Sequence, residues 1–472
     1  YMKYIDQEMI VPWIEGEVKA KILADKSADP DFGSGAMTIT PAHDFTDFEI
    51  AKRHNLEIIQ IIDEKGNLTD KAGSFAGRNA REAREDIVKQ LASKGLVEKI
   101  DENYVHNVSV CYRCDTPIEP LVSEQWFIAV DKKFGKSRKT LKQMAIDAVK
   151  KGSTKILPKR FEKIYFNWMK DLHDWCISRQ IWFGHQIPVW YCKDCREMMV
   201  RREAPEKCSK CRSSKLIQDP DTLDTWFSSG LWTFSTLGWP KKTKDLAMFH
   251  PTAVLETGYD ILFFWVARMI LMTTYALNEV PFKYVYLHGL VRTREGKKMS
   301  KSDPKTCIDP LDMIAKYGTD ALRLSMIIGS GAGNDIRLYE EKIAGYRNFI
   351  NKIWNASRFV LMNVTEEDKL RKFSKKDVKT VPDKWILARL QKLIKEATQH
   401  LDKFEFSEAG SKIYDFLWSE VCDWYLEMSK GADKNPVVLL HTLKETLKLL
   451  HPFVPFVTEV LWPHLGEKEM LI

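Results

Sequence analysis

Apolar positions along this chain recur at two different spacings, and the places where one gives way to the other outline its architecture. From Ile10 to about Val108, short β-branched runs such as Leu56-Glu57-Ile58-Ile59-Gln60-Ile61-Ile62 end in turn signals such as Glu64-Lys65-Gly66-Asn67, with a helical stretch from Arg78 to Lys94. That pattern predicts a small α/β domain. From about Ser109 to Glu340, helical patterns alternate with short strands, among them Tyr284-Val285-Tyr286-Leu287 before a turn at His288-Gly289. Such alternation predicts an α/β core. Asp309-Pro310 joins a capping side chain to a proline at a first helical position, and Thr319-Asp320 can cap the helix carrying Ala321 to Ile328.

Residues Thr365 to Pro382 are polar and basic, with few apolar anchors, and read as a linker. Beyond them the spacing is helical throughout. Ile386, Leu390, Leu393, Ala397 and Leu401 mark one helix, and Ser407 can cap a second through Ile413, Leu417 and Val421. Leu440, Leu443, Leu447 and Leu450 mark a third that ends at His451-Pro452, before another begins at Val457. The expectation is an antiparallel helical bundle.

Composition fits this division. A chain of 472 residues calls for about three or four structural units. Its 44% apolar and 29% charged residues exclude disorder over the whole length. The net charge is +7, with basic clusters from Lys132 to Arg160 and from Lys369 to Lys379. Such clusters suit a phosphate-rich partner and equally a solvated surface. The longest clearly apolar segment, Ile261 to Met272, is interrupted by Arg268 and is shorter than the roughly 20 residues a spanning helix needs, so no membrane is expected. The chain opens Tyr1-Met2-Lys3-Tyr4-Ile5 without an apolar signal core, and an upstream portion is expected. Its nine cysteines lie mostly in Cys-x-x-Cys pairs, which favours a reducing, cytoplasmic compartment.

Three segments carry chemistry. Lys298-Met299-Ser300-Lys301-Ser302 follows Gly296-Lys297 in a stretch with no apolar periodicity, and should be a mobile loop. Its ammonium groups could gather around a triphosphate and neutralise the charge on departing pyrophosphate; read alone, the loop is also compatible with a solvated basic turn. Cys192-x-x-Cys195 and Cys208-x-x-Cys211, with twelve residues between the pairs, suit one tetrahedral zinc ion in a closed, structural site, with a metal-free site as the alternative. Cys111-Tyr112-Arg113-Cys114 is a lone pair, while Cys176, Cys307 and Cys422 are simplest as structural thiols. In Phe32-Gly33-Ser34-Gly35-Ala36-Met37-Thr38-Ile39-Thr40-Pro41-Ala42-His43-Asp44-Phe45-Thr46-Asp47 the glycines permit close backbone approach to a ligand. The same segment could be a capped turn before a helix from Phe48 to Arg53.

The words around the lysine loop, His288-Gly289-Leu290-Val291-Arg292, Ile308-Asp309-Pro310-Leu311-Asp312 and Tyr317-Gly318-Thr319-Asp320-Ala321-Leu322-Arg323, resemble class I aminoacyl-tRNA synthetases of the valine, isoleucine and leucine group. Asp174-Trp175-Cys176-Ile177-Ser178-Arg179-Gln180, Asp224-Thr225-Trp226-Phe227-Ser228-Ser229-Gly230-Leu231-Trp232, Thr257-Gly258-Tyr259-Asp260-Ile261 and Gly345-Tyr346-Arg347-Asn348-Phe349 look like the valine type. The resemblance covers nearly the whole chain and implies a multidomain α/β protein. A partial editing domain would span 1–108, and the second half of a Rossmann-type catalytic domain 109–340, with a zinc ribbon at about 190–216. A stem-contact helix and linker would span 341–382, and a truncated all-α anticodon-binding bundle 383–472.

The implied function is valine–tRNA ligation by a monomer: ATP with Mg2+ activates valine, the acyl group passes to tRNA(Val), and mischarged threonyl-tRNA is hydrolysed. His288, Gly289, Lys298, Met299, Ser300, Lys301 and Ser302 match ATP-site positions, with Lys298 and Lys301 stabilising the leaving pyrophosphate. Trp226, Ile261 and Trp265 match positions that shape the valine pocket, and Asp260 one near the amino group. Taken alone, the pocket residues read as ordinary core and Asp260 as a helix cap. Phe32, Thr40, Asp44 and Asp47 match the editing site, and the four paired cysteines a structural Zn2+ site. Editing has a physical reason, because valine and threonine are nearly isosteric and enzymes of this very type reject the hydroxyl only about a hundredfold in the first pocket.

The pattern departs from the family in three places. No His-x-Gly-His signature is present, Asp303-Pro304-Lys305-Thr306 stands where Lys-Gly-Asn is usual, and Thr38 stands where a basic residue is frequent. The chain by itself is therefore expected to be inactive. An isoleucine-type synthetase, which the Asp224 to Ser229 segment argues against, and a non-catalytic zinc-containing RNA-binding protein are the other readings.

Overall fold

The computed structural model describes residues 2–105, 107–111, 114–135, 138–299, 307–431 and 434–471, in two units, Tyr1–Gln125 and Trp126–Ile472. In the first unit, strands Glu8–Pro12 and Glu17–Lys21 form an antiparallel hairpin, and helices Phe45–His54 and Arg84–Ser93 accompany a small core of Leu68, Phe75 and Ala83. The β-branched run Leu56 to Ile62 is not a regular strand. Only Ile62 bridges, to Leu68, and the N–H groups of Ile61 and Ile62 are taken up by His43 Nε2 at 3.0 and 3.2 Å. The helix expected from Arg78 starts at Arg84, because the Arg78 carbonyl is already bound to the Leu68 N–H at 2.8 Å and Asn79 bridges Asn67.

The second unit contains a parallel sheet in the order Thr252–Gly258, Phe282–His288, Lys155–Leu157. Its core residues Val285, Leu287 and Ile156 pack with helices Leu141–Lys150, Arg160–Lys170 and Arg268–Leu277. The helical run from Tyr259 to Leu277 changes its winding twice, from a 3₁₀ turn at Tyr259–Ile261 to a π segment at Leu262–Ala267 and then to α. At 19 residues it is longer than the apolar segment suggested, and by length and composition it passes for a membrane span. Here it is a core helix, with Met269 to Thr274 buried in the fold. A separate antiparallel sheet, Met198–Val200, Val189–Cys192 and Leu216–Gln218, carries the cysteine quartet.

Helices Glu340–Met362, Val381–Asp402, Phe406–Asp415, Pro436–Leu450 and Pro455–Leu461, with a π segment at Phe416–Tyr425, build the helical part around Leu390, Ile413, Leu417, Leu443 and Leu447. The stretch expected to be a linker carries short elements of its own. Helix Glu366–Leu370 and a 3₁₀ turn at Lys375–Asp377 occupy it, and Thr365, Ser374 and Thr380 each form a capping box with Asp368, Asp377 and Asp383. Polar composition there reflects caps rather than slack chain. Two expected local caps act across the fold. Asp320 accepts the N–H groups of Phe456 and Val457 at 3.3 and 2.7 Å, at the start of helix Pro455–Leu461, and burial pushes its carboxyl up. Ser407 Oγ accepts the Gly329 N–H at 3.0 Å. Tyr284 and Tyr286 of the central strand meet Phe404 and Phe406 from the helical part, with ring centres 5.2 to 6.2 Å apart.

Candidate active site

Parallel register pairs Gly258 with His288, so two strands release the chain side by side at their carboxyl ends, where open α/β sheets bind ligands. The first strand leads into Tyr259, Asp260 and Ile261; the second leads into Gly289 and a narrow hairpin. That hairpin turns through Thr293 and Gly296 and returns as Lys298, which bridges Arg292. Gly289 has no substitute, because a Cβ there would lie 1.9 Å from the Asn334 carbonyl oxygen. His288 Nε2 is 3.2 Å from Glu256 Oε1. Lys298 is exposed, and Met299 packs against the cluster of Ala321, Leu338 and Ile343. Ser300, Lys301 and Ser302, and the Asp303 to Thr306 departure, lie outside the described residues.

One organising residue escaped the sequence reading. Asp335 accepts the Tyr259 hydroxyl at 3.0 Å and the Leu290 N–H at 2.8 Å, and pairs with the Arg292 guanidinium. It thus joins the turn that holds Asp260 to the hairpin that holds Lys298. Burial alone would raise its carboxyl, but the Leu290 N–H, Arg292 and Tyr259 outweigh that and hold it below the usual range.

Of the expected pocket residues, Trp226 and Trp265 come to one seam. Trp226 lies on helix Thr225–Gly230 and stacks on Phe264, ring centres 5.8 Å apart. Trp265 donates its Nε1 proton to the Ser229 carbonyl of the same helix at 3.2 Å. Ile261 is half-buried on the 3₁₀ turn. Asp260 is exposed and lines a cleft of about 70 Å³ with Tyr259, Phe263 and Phe264. The turn is entered through Gly258 rather than capped by Asp260. Asp224 caps the Trp226 helix and is buried, accepting the Trp226 N–H at 3.3 Å and the Trp175 indole N–H at 3.0 Å.

The sulfurs of Cys192, Cys195, Cys208 and Cys211 all lie within 4.8 Å of one another. Cys192 and Cys211 are 3.5 Å apart, and Cys195 and Cys208 3.6 Å. A zinc tetrahedron with bonds of about 2.3 Å has edges of about 3.8 Å, so the donor set fits the ion. The Cys211 backbone N–H, helped by that of Lys210, holds the Cys208 thiol down to about 7 against the opposing effect of burial. Both pairs are built as the same knuckle, in which the residue after the second cysteine has positive φ and its N–H returns to the first cysteine's carbonyl, at 2.9 Å for Arg196 and 3.1 Å for Arg212. Asp115 does the same to Cys111 at 2.8 Å. Among the described residues, no second cysteine pair meets Cys111 and Cys114.

In the first unit, Thr40, Asp44 and Asp47 come together at the start of helix Phe45–His54. Asp47 is buried and accepts the Thr40 N–H at 2.6 Å, while Asp44 caps the helix through the N–H groups of Thr46 and Asp47 at 2.8 and 3.0 Å. The capped turn is therefore present. Phe32 is exposed.

Residues 17–339 match the family described as tRNA synthetases class I (I, L, M and V), and residues 383–472 match the anticodon-binding domain of tRNA ligase. The chain belongs to the class I aminoacyl-tRNA synthetases, with a Rossmann-like catalytic part followed by an anticodon-binding helical domain. Within that class, curated relatives at 46–50% identity are valine–tRNA ligases. It is 50% identical to the valine–tRNA ligase of Clostridium tetani, over 100% of this chain and 53% of that protein. It is 48% identical to the valine–tRNA ligase of Thermotoga maritima, over 98% of this chain and 53% of that protein. The chain spans about half the length of the curated relatives it matches. Among solved structures, the fold is shared with a leucyl-tRNA synthetase of Agrobacterium radiobacter (21% identity, TM-score 0.55, covering 66% of this chain and 45% of that one). It is also shared with the methionyl-tRNA synthetase of Mycobacterium tuberculosis (15% identity, TM-score 0.57, covering 77% and 67%).

Proposed function

We propose that this chain supplies the amino-acid pocket and the pyrophosphate-side loop of a valine–tRNA ligase. The observation that carries this reading is the pairing of Gly258 with His288, from which the turn leading to Asp260 and Trp265 and the hairpin leading to Lys298 leave side by side. A valine carboxylate oxygen would attack the α-phosphorus of ATP, forming valyl-adenylate as pyrophosphate leaves. Lys298, with Lys301, would neutralise the leaving charge, and Asp260 would face the ammonium of valine. The acyl group would then move to a ribose hydroxyl of tRNA(Val), releasing AMP. Mg2+ would accompany ATP, and the cysteine quartet would hold a structural Zn2+ away from the chemistry.

Thr40, Asp44 and Asp47 would serve the editing of threonyl-tRNA. With Asp44 Oδ1 engaged in the cap, its other oxygen is the one to receive an α-ammonium. The 50% relatives favour valine over the isoleucine-type reading, and the joined Asp335 network favours a catalytic over a purely RNA-binding role. The test is amino-acid-dependent pyrophosphate exchange with the intact protein. Exchange with valine well above isoleucine is expected. Equal rates, or isoleucine ahead, would refute the assignment.

A further inference from the structure

A cation stands behind two rings of the proposed amino-acid pocket, Trp226 and Phe264. Arg268 opens the α-helical part of the run that begins at Tyr259, and its side chain is only 12% exposed. The guanidinium carbon lies 4.3 Å from the ring centre of Trp175, 5.5 Å from that of Phe264, and 5.9 Å from those of Trp226 and Phe263. Asp224 is 3.5 Å away, but the same carboxylate already receives Arg179 at 3.1 Å, the Trp175 indole and the backbone of Trp226. Burial pulls the Arg268 guanidinium below its usual value, against the attraction of Asp224.

Burying a guanidinium is costly, and well-packed apolar side chains of similar volume would fill the space without that cost. What an apolar chain would not supply is a flat, charged plate gripped on its faces by rings and on its edge by a carboxylate. Two of those rings, Trp226 and Phe264, stack on one another, and Trp226 is the residue assigned to the substrate wall. We propose that Arg268 is a specificity-determining positioning residue: clamped by Asp224, it fixes the ring planes of Trp226 and Phe264 and so sets the width of side chain the pocket admits. This rests on the amino-acid-activation reading given above. The effect of Arg268 would pass through Trp226 rather than through contact with substrate. Because one methylene in an apolar pocket is worth about 10- to 200-fold in selectivity, a loosened wall should appear first as a weaker preference for valine over isoleucine.

The experiment measures kcat and KM for valine, isoleucine and ATP in pyrophosphate exchange by the intact protein carrying Arg268→Lys or Arg268→Met. Lysine keeps the charge beside Asp224 but not the plate, and methionine keeps neither. The valine-over-isoleucine ratio of kcat/KM should fall about tenfold with lysine and further with methionine, with KM for ATP unchanged. A folded lysine variant with an unaltered ratio overturns the inference, as does a parallel loss for valine, isoleucine and ATP. If the methionine variant does not fold, the lysine variant decides. Wild-type protein without valine-dependent exchange overturns the activation reading and this inference together, whereas active wild type with an unaltered lysine variant overturns the inference alone.

Discussion

Asp335 shows how much of the site rests on single long-range contacts. Replacing it with asparagine keeps an acceptor for the Leu290 N–H but removes the ion pair with Arg292, and the exchange rate at low ATP should fall about tenfold or more. The pH dependence has a definite sign. A carboxyl held below its usual value stabilises the fold above its unfolded value of about 3.9, and that contribution is lost as pH falls through the lower folded value. The urea midpoints of wild type and Asp335→Asn should therefore differ near neutrality and converge in strong acid. A constant gap at every pH would refute this. No local pattern pointed to Asp335, because Leu290 lies 45 residues away in sequence, and Arg268 likewise meets Asp224 across 44. By contrast, the cap at Asp309, which binds the Leu311 N–H two residues on, was legible. Side chains that act within one turn leave a mark in the sequence; those that act across the sheet leave none.

At the scale of elements, regular periodicity and paired spacing were legible and isolated composition was not. Strand Phe282–His288, helix Pro436–Leu450 and the cysteine quartet follow from spacing alone. The run Leu56 to Ile62 has strand-forming residues but only a single-residue pairing, at Ile62, and strand propensity without a partner decides little. The quartet should bind one zinc per chain, measured by elemental analysis, and Cys208→Ser should lose it while the helical part melts unchanged; zinc retained at full occupancy would refute the site. The helical part has a polar joint of its own. Buried Asp383 accepts the Tyr425 hydroxyl and the Asn435 amide, each at 2.8 Å, tying three helical segments together. Burial, with Asp383 beside it, pushes the Tyr425 phenol up, so it remains a donor. Asp383→Ala strands both partners and should cost about 2–4 kcal/mol, whereas Tyr425→Phe should cost about 1 kcal/mol, both read from urea unfolding. Equal costs would show that the carboxylate is not the hub.

At the scale of the second unit, the parallel sheet keeps its own core around Val285 and Leu287, while the core of the helical part also takes in residues that precede Glu340. Leu324 of helix Thr319–Ile327, Ile328 just beyond its end, and Phe349, Ile353 and Ala356 of helix Glu340–Met362 belong to the same cluster as Leu390 and Leu443. The polar stretch from Thr365 to Thr380 crosses this unit as a chain of caps, so backbone continuity there adds little to the packing. A protease cut between Leu370 and Ser374 should leave two pieces that elute together on gel filtration and part only in denaturant; separate peaks would refute the shared core. The four rings of Tyr284, Tyr286, Phe404 and Phe406 extend this to assembly from parts. Expressed as two separate polypeptides divided at that stretch, each piece would present half of an aromatic clasp, and the sequence should behave as a self-complementing pair whose reconstitution reports on the fit of the two halves.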